Sequence, residues 1–470
     1  MKHVHFIGIG GSGLSAIAMI LLERGYRVSG SDRQFSPLAQ RLQQAGASVY
    51  TGHSPENVAG ADLVVRSSAV PDDNVEVQAA RTAGIPVLKR VDFLGQLKDG
   101  QQFIAVAGTH GKTTTTAMLA WVLTALGQDP SYIIGGVSTN LGRNAHAGGG
   151  RYFVIEADEY DHMFLGLYPL VAVVTNIEHD HPDCYPTYQD FYQAFQEFAG
   201  HISPAGALVA CGEDLGAATL LAWAAQAGFQ TVSYGLGDAG YDCCAVEIAS
   251  NQQGGFSFTM ADRDNQILAS VALQEPGLHN VANALSVLAV VRQLGLPVSQ
   301  AAAALGEYRG TGRRFEVRDD VAGITVIDDY AHHPTQIRAI LAAARVRYPG
   351  RRVWAVWQPH TFSRTRTLFV DFAAAFSEAD RVIVTEIYAA REASPADGFS
   401  SRQLVEAMRH HRGLRNNVHF SPDLSDARDY LLEGLRSGDV VLVLSAGDAD
   451  QMSAQLIERL QKSYSGSAGE

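Results

Sequence analysis

The sequence predicts an α/β protein of three domains. The chain has 470 residues, and at roughly 150 residues per domain that length predicts about three domains. Short apolar runs alternate with helical stretches along most of it, which is typical of parallel sheets covered by helices. Two glycine-rich loops each follow an apolar run. We therefore expect a Rossmann-like domain over residues 1–97, a central ATPase-like phosphate-loop domain with a mixed sheet over residues 98–310, and a second Rossmann-like domain over residues 311–470.

Each predicted domain contains several apolar runs of strand length. The predicted strands are Val4–Gly8, Arg27–Ser29, Leu63–Arg66, Phe103–Ala107, Tyr152–Ile155, Val171–Thr175, Ile324–Ile327, Val353–Trp357, Val382–Thr385 and Val440–Leu444. Residues 85–103 are expected to hold a last strand, a helix and the crossing into the second domain, and residues 203–275 a more antiparallel region. Apolar spacing predicts a helix at Val281–Leu294, and the small polar residues of Ser463–Glu470 predict a disordered tail.

The composition excludes several classes of protein. Lys and Arg number 36 against 49 Asp and Glu, and the net charge of −13 argues against broad binding of nucleic acid or anionic membrane. Four cysteines without a C-x-x-C pair fit a reducing compartment. The N-terminus lacks the features of a signal peptide, and no uncharged apolar run reaches about 18 residues. We therefore expect a cytoplasmic protein without a membrane span.

The first glycine-rich loop is typical of a diphosphate site. The segment GIGGSG at residues 8–13 fits G-x-G-x-x-G and precedes a predicted helix at Leu14–Leu22. Glycines let the backbone approach a pyrophosphate, and the helix N-terminus supplies free N–H groups. Asp32, near the end of the next strand, is placed to accept hydrogen bonds from ribose hydroxyls. Alone, this motif fits a nicotinamide-dependent enzyme, a nucleotide-sugar site or a tight turn without a ligand.

The second glycine-rich loop predicts an ATP site. The segment GTHGKT at residues 108–113 precedes a predicted helix at Ala117–Leu126, and Val106 stands where a full Walker motif has its first glycine. In this shortened loop, backbone N–H groups cradle phosphate oxygens. Lys112 neutralises the transferring phosphate, and Thr113 can ligate Mg²⁺. A lysine buried in a glycine turn without an anion would cost free energy, so a purely structural role is disfavoured.

Two acidic clusters follow the neighbouring strands. EADEYD at residues 156–161 and NIEHDH at residues 176–181 are expected at the same carboxyl edge of the sheet as the phosphate loop. Their oxygen ligands suit Mg²⁺, although solvated acidic loops would look the same. His181 fits a metal ligand, a phosphate donor or a helix cap. With the two loops, these clusters suggest that ATP activates a substrate that itself carries a nucleotide diphosphate.

Motifs along nearly the whole chain resemble those of the Mur ligase family, which adds amino acids to the peptidoglycan precursor. They are GIGGSGLSAIA (8–18), SSAVP (67–71), GTHGKTTTT (108–116), EADEYD (156–161), TNIEHDHPD (175–183), GLHNVANA (277–284), RRFE (313–316), DDYAHHP (328–334), QPHTFSRT (358–365) and SAGD (445–448). The resemblance implies a first domain for a UDP-linked substrate, a second for ATP and a third that closes over the site.

The resemblance also implies roles for individual residues. The implied ATP-binding residues are Gly108, Thr109, His110, Gly111, Lys112, Thr113, Thr114, His279, Asn280, Asn283, Arg314 and Asp329. Those implied for the UDP-substrate are Gly10, Gly11, Ser12, Gly13, Asp32, Ser67, Ser68 and Asn176, with the loop 142–144 along the path of the sugar acid. Those facing the amino acid and the reacting carboxylate are Asp329, Tyr330, His332, His360 and Arg364. Thr113 and Glu156 would hold one Mg²⁺ and His181 a second, and the implied catalytic residues are Lys112, His181, His332 and Arg364.

The positions of the lysines distinguish between the subfamilies of this family. The chain has only Lys2, Lys89, Lys98, Lys112 and Lys462. Later members place a carbamoylated lysine near the second metal, and residues 113–461 contain none. This favours the type that joins L-alanine to the carboxylate of UDP-N-acetylmuramate. Two positions depart from the family pattern. Thr361 stands where many alanine-adding relatives have arginine, which makes Arg364 and Arg366 the candidates for the alanine carboxylate, and Ser445 stands where glycine is usual.

The implied reaction runs through an acyl phosphate. ATP would phosphorylate the sugar-acid carboxylate, and the amine of L-alanine would then displace phosphate. His332, His360 and His181 remain candidates for the group that takes the proton from the amine. The alternatives are a recycling ligase that joins an intact tripeptide to the same substrate, an NAD-dependent oxidoreductase and a non-enzymatic ATP switch. UDP-N-acetylmuramate and L-alanine are the expected partners, and a monomer or a homodimer is expected.

Overall fold

A computed structural model describes residues 2–237, 240–390, 392–410 and 417–465. Its first sheet has five parallel strands in the order β3-β2-β1-β4-β5. In chain order its elements are β1 (His3–Ile7), α1 (Ser12–Glu23), β2 (Arg27–Asp32), α2 (Pro37–Gln44), β3 (Ser48–Thr51), β4 (Leu63–Arg66), α3 (Val75–Thr82), β5 (Val87–Lys89) and α4 (Arg90–Leu94). The strand order reverses beside β1, which puts the loop after β1 at the crevice where such sheets bind ligands.

The second sheet is mixed and has ten strands in the order β15-β14-β13-β12-β11-β10-β6-β9-β7-β8. Its strands are β6 (Gln102–Ala107), β7 (Ser131–Ile133), β8 (Ala145–His146), β9 (Tyr152–Glu156), β10 (Val171–Val174), β11 (Ala207–Cys211), β12 (Gln230–Leu236), β13 (Cys243–Ser250), β14 (Phe256–Asp262) and β15 (Ile267–Leu273). Its helices are α5 (Lys112–Ala125), α6 (Tyr188–Gly200), α7 (Leu215–Gln226), α8 (Leu278–Gln293) and α9 (Val298–Gly306). Because β6 lies between β9 and β10 and runs parallel to both, the phosphate loop and the two acidic segments leave the sheet side by side.

The third sheet has six strands in the order β16-β17-β21-β18-β19-β20, and only the edge strand β16 is antiparallel to its neighbour. Its strands are β16 (Glu316–Val321), β17 (Ile324–Asp329), β18 (Val353–Gln358), β19 (Arg381–Thr385), β20 (Val418–Ser421) and β21 (Val440–Ser445). Its helices are α10 (Pro334–Arg347), α11 (Phe362–Thr367), α12 (Phe369–Ala373), α13 (Ser401–His410), α14 (Leu424–Gly434) and α15 (Asp450–Ser465).

The apolar cores join the first two sheets more closely than the third. Phe93 and Leu97, which end the first region, belong to the same buried cluster as Phe103 and Phe153 of the second sheet. The third sheet has separate clusters on its two faces. Burial of apolar area is the main stabilising force in such packing, so the first two regions form one packed body. The third region meets that body partly through hydrogen bonds and ion pairs at the site described below.

The predicted α/β architecture with a mixed central sheet is confirmed. Within residues 203–275, β13, β14 and β15 are antiparallel, whereas β11 and β12 continue the parallel sheet. The predicted disordered tail is wrong for residues 463–465, which complete α15, and residues 466–470 lie outside the described residues. The strands β3, β16 and β20 were not predicted, because their polar and partly exposed side chains form no apolar run.

Candidate active site

The phosphate loop lies between β6 and α5 and is closed tightly around its lysine. Gly111 has a φ of 81°, and a Cβ there would lie 2.7 Å from Oδ1 of Asn283, so both backbone conformation and space favour glycine. Nζ of Lys112 donates to the Gly108 carbonyl at 2.6 Å and lies 2.9 Å from Oε1 of Glu159. Because α5 begins at Lys112 itself, its first N–H groups face the loop, as expected for a phosphate cradle.

Lys112 keeps its positive charge. Burial acts to lower the pKa of Lys112, but the carboxylates of Glu159 and Asp158 outweigh burial, and the net shift raises it. The same attraction, together with a hydrogen bond involving His181, outweighs burial at Glu159 and lowers the pKa of that carboxyl group. The charged ammonium group can therefore pair with a phosphate oxygen in place of the buried Glu159 carboxylate.

Thr113 and Glu156 form a compact set of oxygen ligands beside the loop. Thr113 donates to Oε1 of Glu156 at 2.9 Å, Glu156 Oε2 accepts the Gly135 N–H at 2.6 Å, and Arg314 donates to the Thr113 hydroxyl at 3.1 Å. Burial raises the pKa of Glu156. A buried carboxylate and a hydroxyl at one sheet edge are the hard ligands that Mg²⁺ takes. The residues present therefore fit a magnesium ion.

Arg364 joins the third region to the second acidic segment. Its side chain is buried, Nε donates to Oδ1 of Asp180 at 2.7 Å, and Nη2 lies 3.4 Å from Nδ1 of His181. Burial acts to raise the pKa of Asp180, but Arg364 and the neighbouring histidines hold it well below its ordinary value. At His181, burial is outweighed by Asp180 and Glu159, so its pKa is raised. The two carboxylates thus favour the protonated form of the His181 ring.

Hydrogen bonds assign different tautomers to His360 and His332, which both belong to the third region. Arg364 can only donate, and it lies 3.1 Å from Nδ1 of His360, so the ring proton of His360 is on Nε2. Nδ1 of His332 lies 2.9 Å from the Tyr330 carbonyl, which can only accept, so Nε2 of His332 has a free lone pair. Burial and the nearby Arg364 lower the pKa of both rings, that of His360 to about 4 and that of His332 well below its ordinary range.

Glu178 connects the phosphate loop to the start of α10. It lies 3.3 Å from Nε2 of His110 and accepts the Thr335 hydroxyl at 2.7 Å, while Gln336 lies 3.0 Å from Nδ1 of His110. His333 caps α10 and stacks obliquely on His110, with ring centroids 4.5 Å apart. These contacts lower the pKa of Glu178 to about 2, outweighing burial. These side-chain contacts therefore hold the first turn of α10 directly against the phosphate loop.

A cavity of about 350 Å³ extends from the phosphate loop between α8 and α10. Nine of the residues predicted to bind ATP line it: His110, Gly111, Thr113, Thr114, His279, Asn280, Asn283, Arg314 and Asp329. Gly108, Thr109 and Lys112 complete the loop beside it. The carboxylate of Asp329 accepts the backbone N–H groups of Phe315 and Ala331, both at 2.7 Å, so it organises the turn before α10. The lining combines apolar side chains with a few polar and charged groups, which is typical of small-molecule sites.

The residues predicted to bind the UDP-substrate gather at the carboxyl edge of the first sheet. Asp32 accepts the Gly10 N–H at 2.9 Å, so its carboxylate closes the glycine loop. A Cβ on Gly8 would lie 3.2 Å from Ser67, whereas Ser68 is exposed. A Cβ on Gly13 would overlap the guanidinium of Arg90, which brings a cation to the loop. Gly11 and Ser12 lie at the start of α1.

Several residues singled out from the sequence make their contacts within the protein. The amide of Asn176 bonds both backbone groups of His110 and lines the larger cavity, so it supports the phosphate loop. Arg143 pairs with Glu23 of α1 at 3.0 Å. Arg366 pairs with Asp397 on the surface, which leaves Arg364 as the buried arginine. Ser445 donates to Gln358 at 2.6 Å, and Thr361 has a φ of 60° at the start of α11.

Three residues that contact the site were not singled out from the sequence. Arg90 lies against Gly13, Glu178 holds His110, and Glu275 lines the cavity. Glu178 lies inside a motif that was recognised, so its position beside His181 was a usable signal. Arg90 and Glu275 lie outside the recognised motifs. Their contacts with the site form only because segments that are distant in the sequence pack together.

Family models match all three regions of the chain. Residues 3–102 match the Mur ligase family catalytic domain, residues 106–291 the Mur ligase middle domain and residues 313–447 the Mur ligase glutamate ligase domain. The chain is 43% identical over 473 residues to UDP-N-acetylmuramate--L-alanine ligase of Pelotomaculum thermopropionicum, with 98% of each covered. It is also 43% identical over 463 residues to the enzyme of that name from Geobacter sulfurreducens, again with 98% of each covered.

Solved structures agree with these matches. The crystal structure of UDP-N-acetylmuramate-alanine ligase from Thermotoga maritima superposes with a TM-score of 0.82 at 29% identity, covering 98% of this chain and 100% of that one. A murein peptide ligase from Psychrobacter arcticus superposes with a TM-score of 0.71 at 27% identity, covering 98% and 99%. The three sheets and the cleft at the phosphate loop define an ATP-dependent ligase. The chain belongs to the Mur ligase family. Among the described residues, no helix is long and apolar enough to cross a membrane.

Proposed function

We propose that this ligase joins L-alanine to the carboxylate of UDP-N-acetylmuramate in peptidoglycan precursor synthesis, with ATP and Mg²⁺. The similarity over nearly the full length to ligases of that name supports the proposal. The observation that carries it is the meeting of two groups at one cleft. Lys112 and Thr113 stand on one side, and Arg364 with His332 on the other, joined through Asp180 and Glu159.

We further propose that each region has its own substrate. Residues 1–97 hold the UDP-substrate, residues 98–310 hold ATP, and residues 311–470 hold the amino acid and close over the site. The grouping of the glycine loop with Arg90 in the first region and the cavity in the second supports this division. The polar contacts at Arg314, Arg364 and Gln336 support closure, because such contacts can break and re-form with little exposure of apolar core.

The first chemical step transfers a phosphoryl group. An oxygen of the sugar-acid carboxylate attacks the γ-phosphorus of ATP, the bond to the bridging oxygen breaks, and ADP leaves. Both reactants are anionic, so the step needs positive charge at the transferring group. Lys112 and Arg314 supply it from the protein. Mg²⁺ held by Thr113 and Glu156, with His181 as the predicted ligand of a second ion, would offset further charge.

The second step forms the amide bond. The amine of L-alanine attacks the acyl carbon and forms the C–N bond, and the tetrahedral intermediate then expels phosphate as the C–O bond to the phosphate breaks. The nitrogen must lose a proton, and we assign that proton to Nε2 of His332, whose lone pair is left free by the contact of Nδ1 with the Tyr330 carbonyl. Asp180, 4.0 Å from that nitrogen, stabilises the imidazolium that results. Arg364, whose charge lowers the pKa of His332, is the residue that we assign to the alanine carboxylate.

The decisive experiment measures phosphate release with ATP, Mg²⁺, UDP-N-acetylmuramate and a panel of L-alanine, glycine, L-serine and L-Ala-γ-D-Glu-diaminopimelate. We expect release to depend on all components and to be fastest with L-alanine, with a product whose mass equals substrate plus alanine minus water. Faster turnover with the tripeptide would assign the chain to recycling. Phosphate release that does not depend on the UDP-substrate would indicate an ATP switch. A change in nicotinamide absorbance would indicate an oxidoreductase.

A further inference from the structure

Glu275 is a carboxyl group in the cavity wall that has no hydrogen-bond partner within the described residues. It lies between β15 and α8 and lines the cavity together with His279, Asn280 and Phe315. Its Oε1 would be 2.9 Å from a Cβ on Gly310, so the carboxyl group is pressed against a glycine with no side chain to bind it. Leaving a desolvated polar group without a partner costs free energy. A ligand in the cavity can supply that partner.

Glu275 lies away from the phosphate loop, where the base of a nucleotide held by that loop would be expected. Gln336 of α10 contacts His110 of the phosphate loop, and Arg347, 11 residues later on the same helix, donates to the backbone of Gln274 at 3.4 Å. Eleven helical residues span about 16 Å along the axis, at 1.5 Å per residue. Glu275 thus lies towards the end of the cavity away from the contact that α10 makes with the loop. Phe315 and Ile340 line the cavity and offer apolar surface for a flat ring.

Burial brings the titration of this carboxyl group close to neutrality. Burial raises the pKa of Glu275 to about 7, and the charge of Arg347 from α10 opposes that rise. Tyr308, which follows α9, interacts with it electrostatically and is itself neutral, because burial raises its own pKa far above neutrality. His279 of α8 is neutral as well, since burial lowers its pKa to about 4.

We propose that Glu275 determines nucleobase specificity by binding the Watson–Crick edge of adenine as a carboxylic acid. Its O–H donates to N1, and its carbonyl oxygen accepts from the N6 amino group. This inference rests on the proposed use of ATP and adds a residue that selects the base. The ionised carboxylate has the opposite preference, because it can only accept, and guanine offers donors at N1 and N2.

This chemistry predicts a dependence on pH with a definite sign. The adenine-binding form is present below a pH of about 7 and is lost as the pH rises through that value. Between pH 6 and pH 8.5, one-proton linkage weakens ATP binding about 30-fold. Over the same range, GTP binding should strengthen relative to ATP. Glu275→Gln imitates the neutral acid, with an N–H for N1 and an oxygen for N6, and cannot titrate.

The experiment measures Kd for ATP and GTP by calorimetry at pH 6 and pH 8.5 with saturating Mg²⁺. It uses the full wild-type chain, Glu275→Gln, Glu275→Ala and the control Glu197→Gln, which alters an exposed residue of α6. Comparing each pH dependence of Kd with that of Glu275→Gln removes the contribution that comes from the titration of ATP itself. We expect the pH effect in the wild type and the control, none in Glu275→Gln, and about tenfold weaker ATP binding at pH 6 in Glu275→Ala.

Identical pH profiles in the wild type and Glu275→Gln, or an unchanged ATP-to-GTP ratio in both variants, would overturn the inference. Melting curves of each variant identify loss of folding, and Glu275→Gln carries the test if Glu275→Ala does not fold. The outcome is separable from that of the ligase assay. A chain that shows this base selectivity but makes no amide would refute the proposed function alone. A chain that ligates L-alanine but shows no effect at Glu275 would refute this inference alone.

Discussion

The two glycine-rich loops differ in the origin of their positive charge. The phosphate loop after β6 contains its own lysine, and the ligands of that lysine follow on the adjacent strands β9 and β10. The loop after β1 contains no cation. Arg90, at the start of α4, reaches it from 77 residues beyond Gly13. The phosphate loop is also held by the third region through Arg314 and Gln336.

The difference indicates what each loop does. A cation inside the loop, surrounded by carboxylates and beside the predicted magnesium ligands, is suited to a phosphate that moves during the reaction. A cation contributed from another element is suited to a diphosphate that only needs to be held. We therefore expect substitutions at the phosphate loop to change kcat, and substitutions at the first loop to change substrate affinity. The predictions below test that separation, starting with the largest effect.

Lys112→Met should reduce kcat by at least about 10³-fold, because charge at the transferring phosphoryl group is lost. Binding of UDP-N-acetylmuramate, measured by calorimetry, should change by no more than about twofold. The variant leaves buried Glu159 without Lys112 and with only the His181 ring as a charge partner, which destabilises the fold by about 3 kcal/mol. The double variant Lys112→Met with Glu159→Gln removes both charges and should recover most of that stability but no activity.

Lys2→Ala is the matched control, since Lys2 is exposed at the start of the chain. A parallel loss of ATP turnover and UDP-substrate binding in a folded Lys112 variant would show that the two loops do not serve separate ligands. Recovery of activity in the double variant would show that Lys112 only neutralises Glu159.

His332→Asn should lower kcat about 10²-fold with little change in either KM, as expected for loss of a general base. The Asn amide can still donate to the Tyr330 carbonyl, so the turn before α10 is preserved. Burial and Arg364 hold the pKa of His332 well below its ordinary value, so its protonation removes activity only at low pH. In the wild type, the fall in kcat caused by protonation of His332 should therefore occur below pH 6.5. His332→Asn should show no such fall.

His419→Asn, at the far edge of the third sheet, is the control for this change. If KM for ATP rose in His332→Asn by as much as kcat fell, His332 would be a binding residue. The same fall in kcat at low pH in both enzymes would assign the proton transfer elsewhere, with His360 as the next group to test.

Elements that depend on local sequence were predictable. The strand before the phosphate loop, the loop itself and the acidic segments were placed correctly, because each motif carries its chemistry within a few residues. The start of α5 was predicted five residues late, since the threonines after Lys112 are weak helix formers and the glycine before it sets the helix start. Parallel neighbours in the sheet then brought Glu156 and Glu159 to the loop as expected.

The contacts that escaped prediction join residues far apart in the chain. Glu275 meets Gly310 and Arg347 only after α8 and α10 pack together. Asp32, which is predicted to accept hydrogen bonds from ribose hydroxyls, also accepts the Gly10 N–H of its own loop. Neither fact has a local pattern, because the geometry comes from strand order and helix packing. The edge strands β3 and β16 escaped prediction because their residues are exposed or only partly buried throughout, so neither strand has an apolar run.

Arg90→Ala should have the smallest of these effects and the most selective one. Its guanidinium lies against Gly13, and Nε is buried without a hydrogen-bond partner among the described residues, so a bound diphosphate can complete its bonding. We expect KM for UDP-N-acetylmuramate to rise about tenfold, with kcat and KM for ATP within about twofold of the wild type. Arg41→Ala, at an exposed arginine of α2 in the same region, is the matched control. Arg90→Lys should keep part of the affinity, because it retains the charge but not the fork of donors. A rise in KM for ATP equal to that for the UDP-substrate would break the comparison, since it would place both nucleotides in contact with one cation.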